Sequence, residues 1–323
     1  MRCVYVRSQD PDRPLTGLGI GPLDLHPPEA DWVPVQVRAA SLNHHDLWSL
    51  RGVGLSADRL PMVLGTDAAG FDPDGRRVLV HAVLTSPGWV GEETLDPRRS
   101  LLSERYPGTL AERVWVPARN VVAIADEMSF PDAACLPTAY LTAYRLLVDA
   151  AGVRPGQRVL IQGAGGGVAT AATVLARAMG AHVVVTSRSE ERREAALAIG
   201  AHQAVAAGER IEPVDAVIET VGEATWSHSL RALRPGGVVA VAGATSGAMP
   251  PADLNRVFFR SLRVVGSTMG TLEQLHGLLA MLQATGVRPV VDSVHGFEEE
   301  GIRAAFARLD SGAAFGKVVL SRD

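Results

Sequence analysis

The sequence predicts an α/β protein in which a doubly wound parallel sheet occupies the second half and a strand-and-loop region the first. Three observations carry this. From residue 157 onward, apolar runs of strand length alternate with helix-patterned segments, the order of a parallel sheet with crossover helices. At 159–181, "VLIQGAGGGVATAATVLARAMGA" joins a strand to a helix through a glycine-rich turn. The first 120 residues are instead punctuated by Pro and Gly between short β-like runs, and 323 residues exceed what one hydrophobic core usually covers.

Taken in order, "VPVQVRAAS" (33–41), "RRVLVHAVL" (76–84) and "AERVWVPA" (111–118) read as strands. "SPGWVGEETLDPRRSLLSERYPG" (86–108) has no period and reads as a long loop. "SFPDAACLPTAYLTAYRLLVDAAG" (129–152) opens with a Ser and a Pro suited to a helix start. It then places Leu141, Tyr144, Leu147 and Val148 at helical spacing, so Tyr140 and Tyr144 read as core residues. Strands follow at "QRVLIQG" (157–163), "AHVVVTSR" (181–188), "VDAVIETVG" (214–222), "GGVVAVAG" (236–243) and "LRVVGS" (262–267). Helices are expected over "VATAATVLARAMG" (168–180) and "EERREAALAIG" (190–200), each closed by a glycine. The last fifty residues mix one more helix with the strand "GKVVL" (316–320), and no internal repeat is visible.

Gly163, Gly165, Gly166 and Gly167 crowd the glycine turn, and Val168 follows them. Glycines let the backbone turn tightly and approach a pyrophosphate, while the next helix offers free N–H groups and a partial positive charge. The preceding strand, following helix and βαβ setting are the context a dinucleotide site requires. The end of the next strand separates the cofactors. An NAD site usually has an acidic residue there, roughly 20 residues past the glycines. This chain has Ser187 and Arg188, with Arg192 and Arg193 beyond, and Glu190 and Glu191 fall on the first turn of the next helix. A hydroxyl and a guanidinium suit a 2′-phosphate that a carboxylate would repel. The expected cofactor is NADP(H).

A net charge of −4 and the lack of a basic-aromatic run argue against a nucleic-acid surface. "MRCVYVRSQD" carries charges where a signal peptide needs an apolar run, and no uncharged apolar segment reaches the ~20 residues of a membrane span. A cytoplasmic protein without membrane contact is expected. Cys3 and Cys135 fit no metal spacing and read as reduced thiols in packed cores.

"AASLNHHDLWSLRG" (39–52) sets His44 and His45 directly before Asp46, and all three residue types bind zinc well. This stretch, "LPMVLGTDAAG" (60–70), "GTLAERVWVPARNVVAI" (108–124), "AACLPTAYLTAYRLL" (133–147), the glycine turn, "VAGATSG" (241–247), "VVGSTMGT" (264–271) and "FGKVVL" (315–320) occur in one order. In that order, over nearly its full length, the chain resembles the medium-chain dehydrogenase/reductases. The resemblance implies a GroES-like catalytic domain built from both chain ends, residues 1–128 and 268–323. It implies a Rossmann domain inserted at 129–267, with the active site in the cleft between them.

The resemblance also bears on zinc. Where the family's alcohol dehydrogenases hold a catalytic zinc by a cysteine, the histidine of a Gly-His-Glu motif and a Cys or acid, this chain has Asn43, Thr66 and Thr138. The 86–108 loop lacks the four cysteines of the structural zinc. The chain is therefore similar to the zinc-free branch, which holds quinone oxidoreductases and enoyl reductases, many labelled zinc-type alcohol dehydrogenase-like. A separate metal site from His44, His45, Asp67 and His81 stays open, although neighbours on an extended strand face opposite ways.

Without a Lewis acid, hydrogen-bond donors must hold the charge that builds on the substrate oxygen. The catalytic candidates are Asn43, through its amide N–H, and His45, which aligns with a family Ser/Thr that touches the substrate oxygen. His45 is weighed as donor or general acid against a packed or solvated histidine. Trp48 replaces a tyrosine found in some zinc-free reductases, and Asp46 reads as orienting the loop. By motif position, the resemblance places Asn43, Thr138 and Thr142 at the cofactor. It also places Val221 with Gly222, Gly243, Ala244, Thr245, Ser267, Thr268, Met269 and Lys317 there. The expected function is NADPH-dependent, metal-independent hydride transfer to an activated alkene or quinone of small-molecule size. The alternatives are a metal-free alcohol or aldehyde dehydrogenase and an NADPH-binding protein without turnover. "LRVVGST" (262–268), otherwise an exposed apolar edge, is expected to pair across a homodimer.

Overall fold

The computed structural model describes residues 1–322, which divide into two compact units. The first unit takes Met1–Thr138, Gly270–Leu279 and the chain from Val291, and the second takes Ala139–Met269 and Ala280–Val290.

In the first unit, β1 (Arg2–Val6) pairs antiparallel with β2 (Leu18–Pro22). β3 (Trp32–Ser41) is the longest strand of the chain and is followed by α1 (His44–Arg51) and β4 (Met62–Val63), which joins β1. Then come β5 (Ala69–Phe71), β6 (Arg77–Val80), β7 (Val83–Leu84), β8 (Ser100–Leu101), β9 (Arg113–Pro117) and β10 (Val121–Ala123). α2 (Phe130–Ala134) starts as its sequence suggests, with the Ser129 hydroxyl accepting from the Asp132 amide at 3.1 Å. It packs on β3 and β5, and the Arg77 guanidinium lies 4.0 Å above the Phe130 ring, so residues 129–138 group with this unit.

The second unit begins with α3 (Leu141–Arg145), between π-helical turns at Leu136–Tyr140 and Leu146–Ala150. It continues through β11 (Arg158–Ile161), α4 (Gly167–Ala178), β12 (His182–Ser187), α5 (Glu190–Ala198), β13 (Gln203–Ala206), β14 (Val214–Glu219), α6 (Glu223–Ala232), β15 (Leu233–Val241), α7 (Leu254–Phe259) and β16 (Arg263–Gly266). The six strands are parallel throughout, in the order β13-β12-β11-β14-β15-β16, a doubly wound Rossmann sheet. Val159, Leu160, Ile161, Val183, Val184 and Val185 are all at most 1% exposed. Covering both faces explains the uninterrupted apolar runs, and each such side chain contributes about 1.5–3 kcal/mol by burial. Because the strands are parallel, residues after β11, β12, β14, β15 and β16 all emerge at one edge.

The chain then returns through α8 (Leu272–Thr285), β17 (Val291–Gly296), α9 (Glu299–Asp310) and β18 (Lys317–Ser321). β18 inserts between β17 and β3, completing the first unit's large sheet in the order β10-β6-β5-β3-β18-β17.

The structure differs from the sequence expectation at three places. His44, His45 and Asp46 do not continue a strand; they open α1. Asp46 Oδ2 accepts from the Asn43 amide at 2.8 Å, and Gly52 closes the helix at φ +82°. The 86–108 segment is not all loop, since β8 pairs with β7. The last fifty residues hold most of α8, all of α9 and the additional strand β17 beside β18.

Candidate functional site

The C-terminal edge of the parallel sheet brings together most of the cofactor candidates. Gly163 and Gly165 have φ of +76° and +117°, left-handed values that favour glycine. A Cβ on Gly163 would lie 2.7 Å from Val221 Cγ2, so only glycine admits this approach. The Gly163 amide donates to Thr186 Oγ1 at 3.2 Å and the Ala164 amide to the Thr186 carbonyl at 2.8 Å, which fixes the turn against β12. Gly166 is the N-cap of α4; Gly167 and Val168 form its first turn, with no side-chain cap and no acidic residue. The amide hydrogens and positive end of the helix remain available there for an anion.

A buried polar network supports this turn. Glu219, fully buried at the end of β14, accepts from the Val221 and Gly222 amides at 2.8 and 3.0 Å. It also accepts from Ser229 Oγ at 2.6 Å and from the Thr225 hydroxyl. Gln162 Nε2 donates to Ser229 Oγ and to His228 Nδ1, and Gln162 Oε1 accepts from Thr186 Oγ1. His228 Nε2 lies 2.8 Å from the Glu209 carbonyl, which can only accept. The ring is thereby fixed as the Nε2–H tautomer.

The loops after β14, β15 and β16 are tied together. The Thr245 amide donates to the Thr220 carbonyl, Ser246 to Val221 and Ser267 to Val241. A Cβ on Gly243 would meet the Thr220 carbonyl at 3.0 Å, and Ala244 lies beside Gly222. Ser267 Oγ is buried without a partner, Thr268 is exposed and Met269 takes φ +50°. Thr142 is buried in α3. Tyr140 is fully buried, its hydroxyl accepting from the Val290 amide at 2.7 Å.

At the end of β12, Ser187 is 7% exposed and its Oγ accepts from the Ser189 amide, while Arg188 is exposed. Arg193 Nη1 donates to the Ser187 carbonyl at 3.0 Å. Arg192 is the side chain brought onto the glycine turn, its guanidinium carbon 3.2 Å from where a Cβ of Gly165 would stand. Its place on the first turn of α5, three residues after the N-cap Ser189, is the sequence signal for this proximity. The glycine cradle, the uncapped helix and the arginines fit a dinucleotide.

The first unit holds a second, denser polar cluster. Lys317 at the start of β18 is 2% exposed, and its ammonium donates to the Leu42 carbonyl at 2.8 Å, to Asn43 Oδ1 at 2.6 Å and to Asp67 Oδ2 at 3.3 Å. All three ammonium hydrogens are engaged inside this unit, which leaves none for the cofactor contact expected of Lys317. Asn43 Nδ2 donates to Thr66 Oγ1 at 3.1 Å and to Asp67 Oδ2 at 2.9 Å, so its two amide hydrogens are engaged as well. Thr66 Oγ1 is 2.9 Å from Thr138 Oγ1. Asp67 Oδ2 also accepts from Ser41 Oγ at 2.7 Å. Asp46, fully buried, joins the Asn43 amide to the Gly65 amide; burial raises its pKa despite these bonds.

His45 Nε2 faces Glu104 Oε1 at 3.3 Å, and its Nδ1 is buried without a partner. Burial would lower its pKa, but the Glu104 hydrogen bond and the carboxylates of Asp46, Glu104 and Asp67 raise it. The His44 ring centroid lies 6.4 Å from that of Trp48, and its pKa is lowered, first by desolvation from the surrounding protein and then by Lys317 and Arg51. His81 lies 3.5 Å from Glu93, apart from both histidines in its bonding. Cys3 and Cys135 are buried and free, and burial pushes the Cys135 thiol up.

The residues at the three family zinc positions, Asn43, Thr66 and Thr138, do not make a zinc donor set. They bond to one another, Asn43 also accepts from the Lys317 ammonium, and an amide and two hydroxyls lack the charge and softness of thiolate or imidazole. Among the described residues, no group of three or more His, Cys, Asp and Glu side chains is arranged to hold a metal ion.

Comparison with known proteins agrees with this architecture. Residues 29–126 match the alcohol dehydrogenase GroES-like domain, and residues 167–284 match the family described as zinc-binding dehydrogenase. A zinc-type alcohol dehydrogenase-like protein of Schizosaccharomyces pombe is 30% identical over 328 residues, covering 94% of this chain and 93% of its own. A quinone oxidoreductase of Lama guanicoe is 29% identical over 313 residues, covering 91% and 89%. A crystal structure titled NAD-dependent alcohol dehydrogenase superposes over 100% of both chains with a TM-score of 0.91 and 32% identity.

Proposed function

Because the chain belongs to the medium-chain dehydrogenase/reductase superfamily of oxidoreductases, we propose that it is an NADPH-dependent, metal-independent reductase of a conjugated acceptor, an activated alkene or a quinone. The observation that carries the reading is the Lys317–Asn43–Thr66–Thr138 cluster at the family's zinc positions. Simple alcohol oxidation gains most from a Lewis acid, whereas a conjugated acceptor spreads its charge and is served by hydrogen-bond donors. When bound, NADPH supplies the hydride. The glycine turn and the α4 N-terminus hold the pyrophosphate, and Ser187, Arg188 and Arg192 favour a 2′-phosphate, with no carboxylate at the end of β12 to oppose it. The similarity to the quinone oxidoreductase supports the acceptor class.

A second reading, a metal-free alcohol or aldehyde dehydrogenase, draws on the close superposition with the NAD-dependent alcohol dehydrogenase. Initial rates of NADPH oxidation by chelator-treated protein separate the two, comparing an α,β-unsaturated ketone with its saturated analogue. Turnover of the unsaturated ketone alone is expected. Turnover of the saturated ketone would move the reading to carbonyl reduction.

A further inference from the structure

We propose that the Thr138 hydroxyl is the hydrogen-bond donor to the substrate oxygen on which charge collects, and that Lys317 fixes its donor direction through Asn43 and Thr66. This rests on the reductase reading above and names the group that replaces the Lewis acid. The direction follows from the chemistry of each partner. An ammonium can only donate, so Asn43 Oδ1 accepts from Lys317 at 2.6 Å and the amide orientation is set. Asn43 Nδ2 then faces Thr66 Oγ1 and Asp67 Oδ2. Thr66 accepts from Asn43; either hydroxyl of the Thr66–Thr138 pair can donate across its 2.9 Å, and the burial of Thr66 favours its hydrogen going to Thr138 Oγ1, the acceptor within reach. Thr138 therefore receives a hydrogen bond and retains its own hydrogen, and among the described residues no protein acceptor takes it.

Thr66 is 1% exposed, whereas Thr138 is half-buried, so the chain of donors runs outward from the core. Each link polarises the next, which strengthens the terminal donor. Thr138 sits in the π-helical turn Leu136–Tyr140, a local widening of the kind frequent at functional sites. Asn43 has no amide hydrogen left to give, so the donor role expected of it passes outward to Thr138. In the reaction, hydride forms the new C–H bond at the β-carbon and the π pair moves to the carbonyl oxygen. Thr138 donates to that oxygen without losing its proton, and water protonates the enolate.

The test compares the full-length protein with Thr138→Val, Thr138→Ser and Asn43→Asp, using 2-cyclohexenone with NADPH and, without turnover, binding of 4-nitrophenolate followed by absorbance. Thr138→Val is expected to lower kcat by about 10²–10³-fold, and it also lowers the melting temperature, because the buried Thr66 hydroxyl loses its acceptor. Thr138→Ser restores kcat to within about tenfold, because the hydroxyl returns. Asn43→Asp cannot donate to Thr66, so it lowers kcat similarly and adds nothing when combined with Thr138→Val. Thr138→Val is also expected to weaken 4-nitrophenolate binding by about tenfold or more. Wild-type turnover with an unimpaired Thr138→Val variant overturns the donor assignment and leaves the reductase reading standing. No cyclohexenone turnover by wild type, with phenolate binding still dependent on Thr138, overturns the reading and keeps the donor. Equal phenolate affinity in both proteins overturns the donor.

Discussion

Arg192 lies against the Gly165 turn, while Arg188, nearer the strand end in sequence, is exposed. For a cofactor carrying a 2′-phosphate, Arg192→Ala is expected to raise the NADPH dissociation constant about 10- to 100-fold, since a hydrogen bond to a charged group contributes ~1.5–3 kcal/mol. NADH affinity should stay within a few fold; fluorescence titration with both nucleotides checks this, and equal weakening would remove the phosphate from the account. The glycines were legible in the sequence because strand, turn and helix are local. Lys317 was not. The sequence shows a lysine, but its partners Leu42 and Asn43 lie 275 and 274 positions away, and no local pattern reports that pairing. The family resemblance implies a cofactor contact for Lys317, and the structure engages its ammonium with Leu42, Asn43 and Asp67.

Glu93 shows how one side chain holds an element. It sits in the 86–108 segment, which lacks the cysteines of a structural zinc, and accepts from the Leu272 amide at 2.6 Å at the start of α8. His81 and Arg119 complete its shell. Burial alone would raise its pKa, but His81, the Leu272 amide and Arg119 hold it down, from 4.5 to about 2. A depressed carboxylate contributes stability that is fully present above pH 4.5 and is lost as pH falls towards about 2. Glu93→Gln should therefore cost about 1–3 kcal/mol at neutral pH and flatten the acid limb of the unfolding curve. An unchanged limb in thermal melts from pH 5 down to pH 2 would contradict this. The buried parallel strands were legible as apolar runs. α1 was not, because it follows β3 closely and its apolar face is weak. The Asn43-x-x-Asp46 spacing was the available signal, since it is the pattern of a capping box. β13 is not legible because four residues with a single buried side chain are too few to show a period.

Across the whole chain, β18 pairs with β3, so both chain ends build the first unit, as the family resemblance implies. Among the described residues, no helix is long and apolar enough to cross a membrane. β16 ends the parallel sheet with Val264 49% exposed, and on the preceding α7 Phe258 and Phe259 are 59% and 80% exposed. An apolar sheet edge of this kind is a template for pairing, and a homodimer through β16 is proposed. Val264→Lys is expected to shift the protein to monomers in sedimentation experiments, and a monomeric wild type at micromolar concentration would refute the dimer. The proposed metal-independent function rests on Asn43, Thr66 and Thr138, tied to the buried Lys317 ammonium, standing at the family's zinc positions. Its most direct test is metal content and quinone turnover of one preparation, before and after exhaustive chelation. Substoichiometric metal and an unchanged rate are expected. Stoichiometric zinc whose removal abolishes turnover, restored on adding it back, would contradict it.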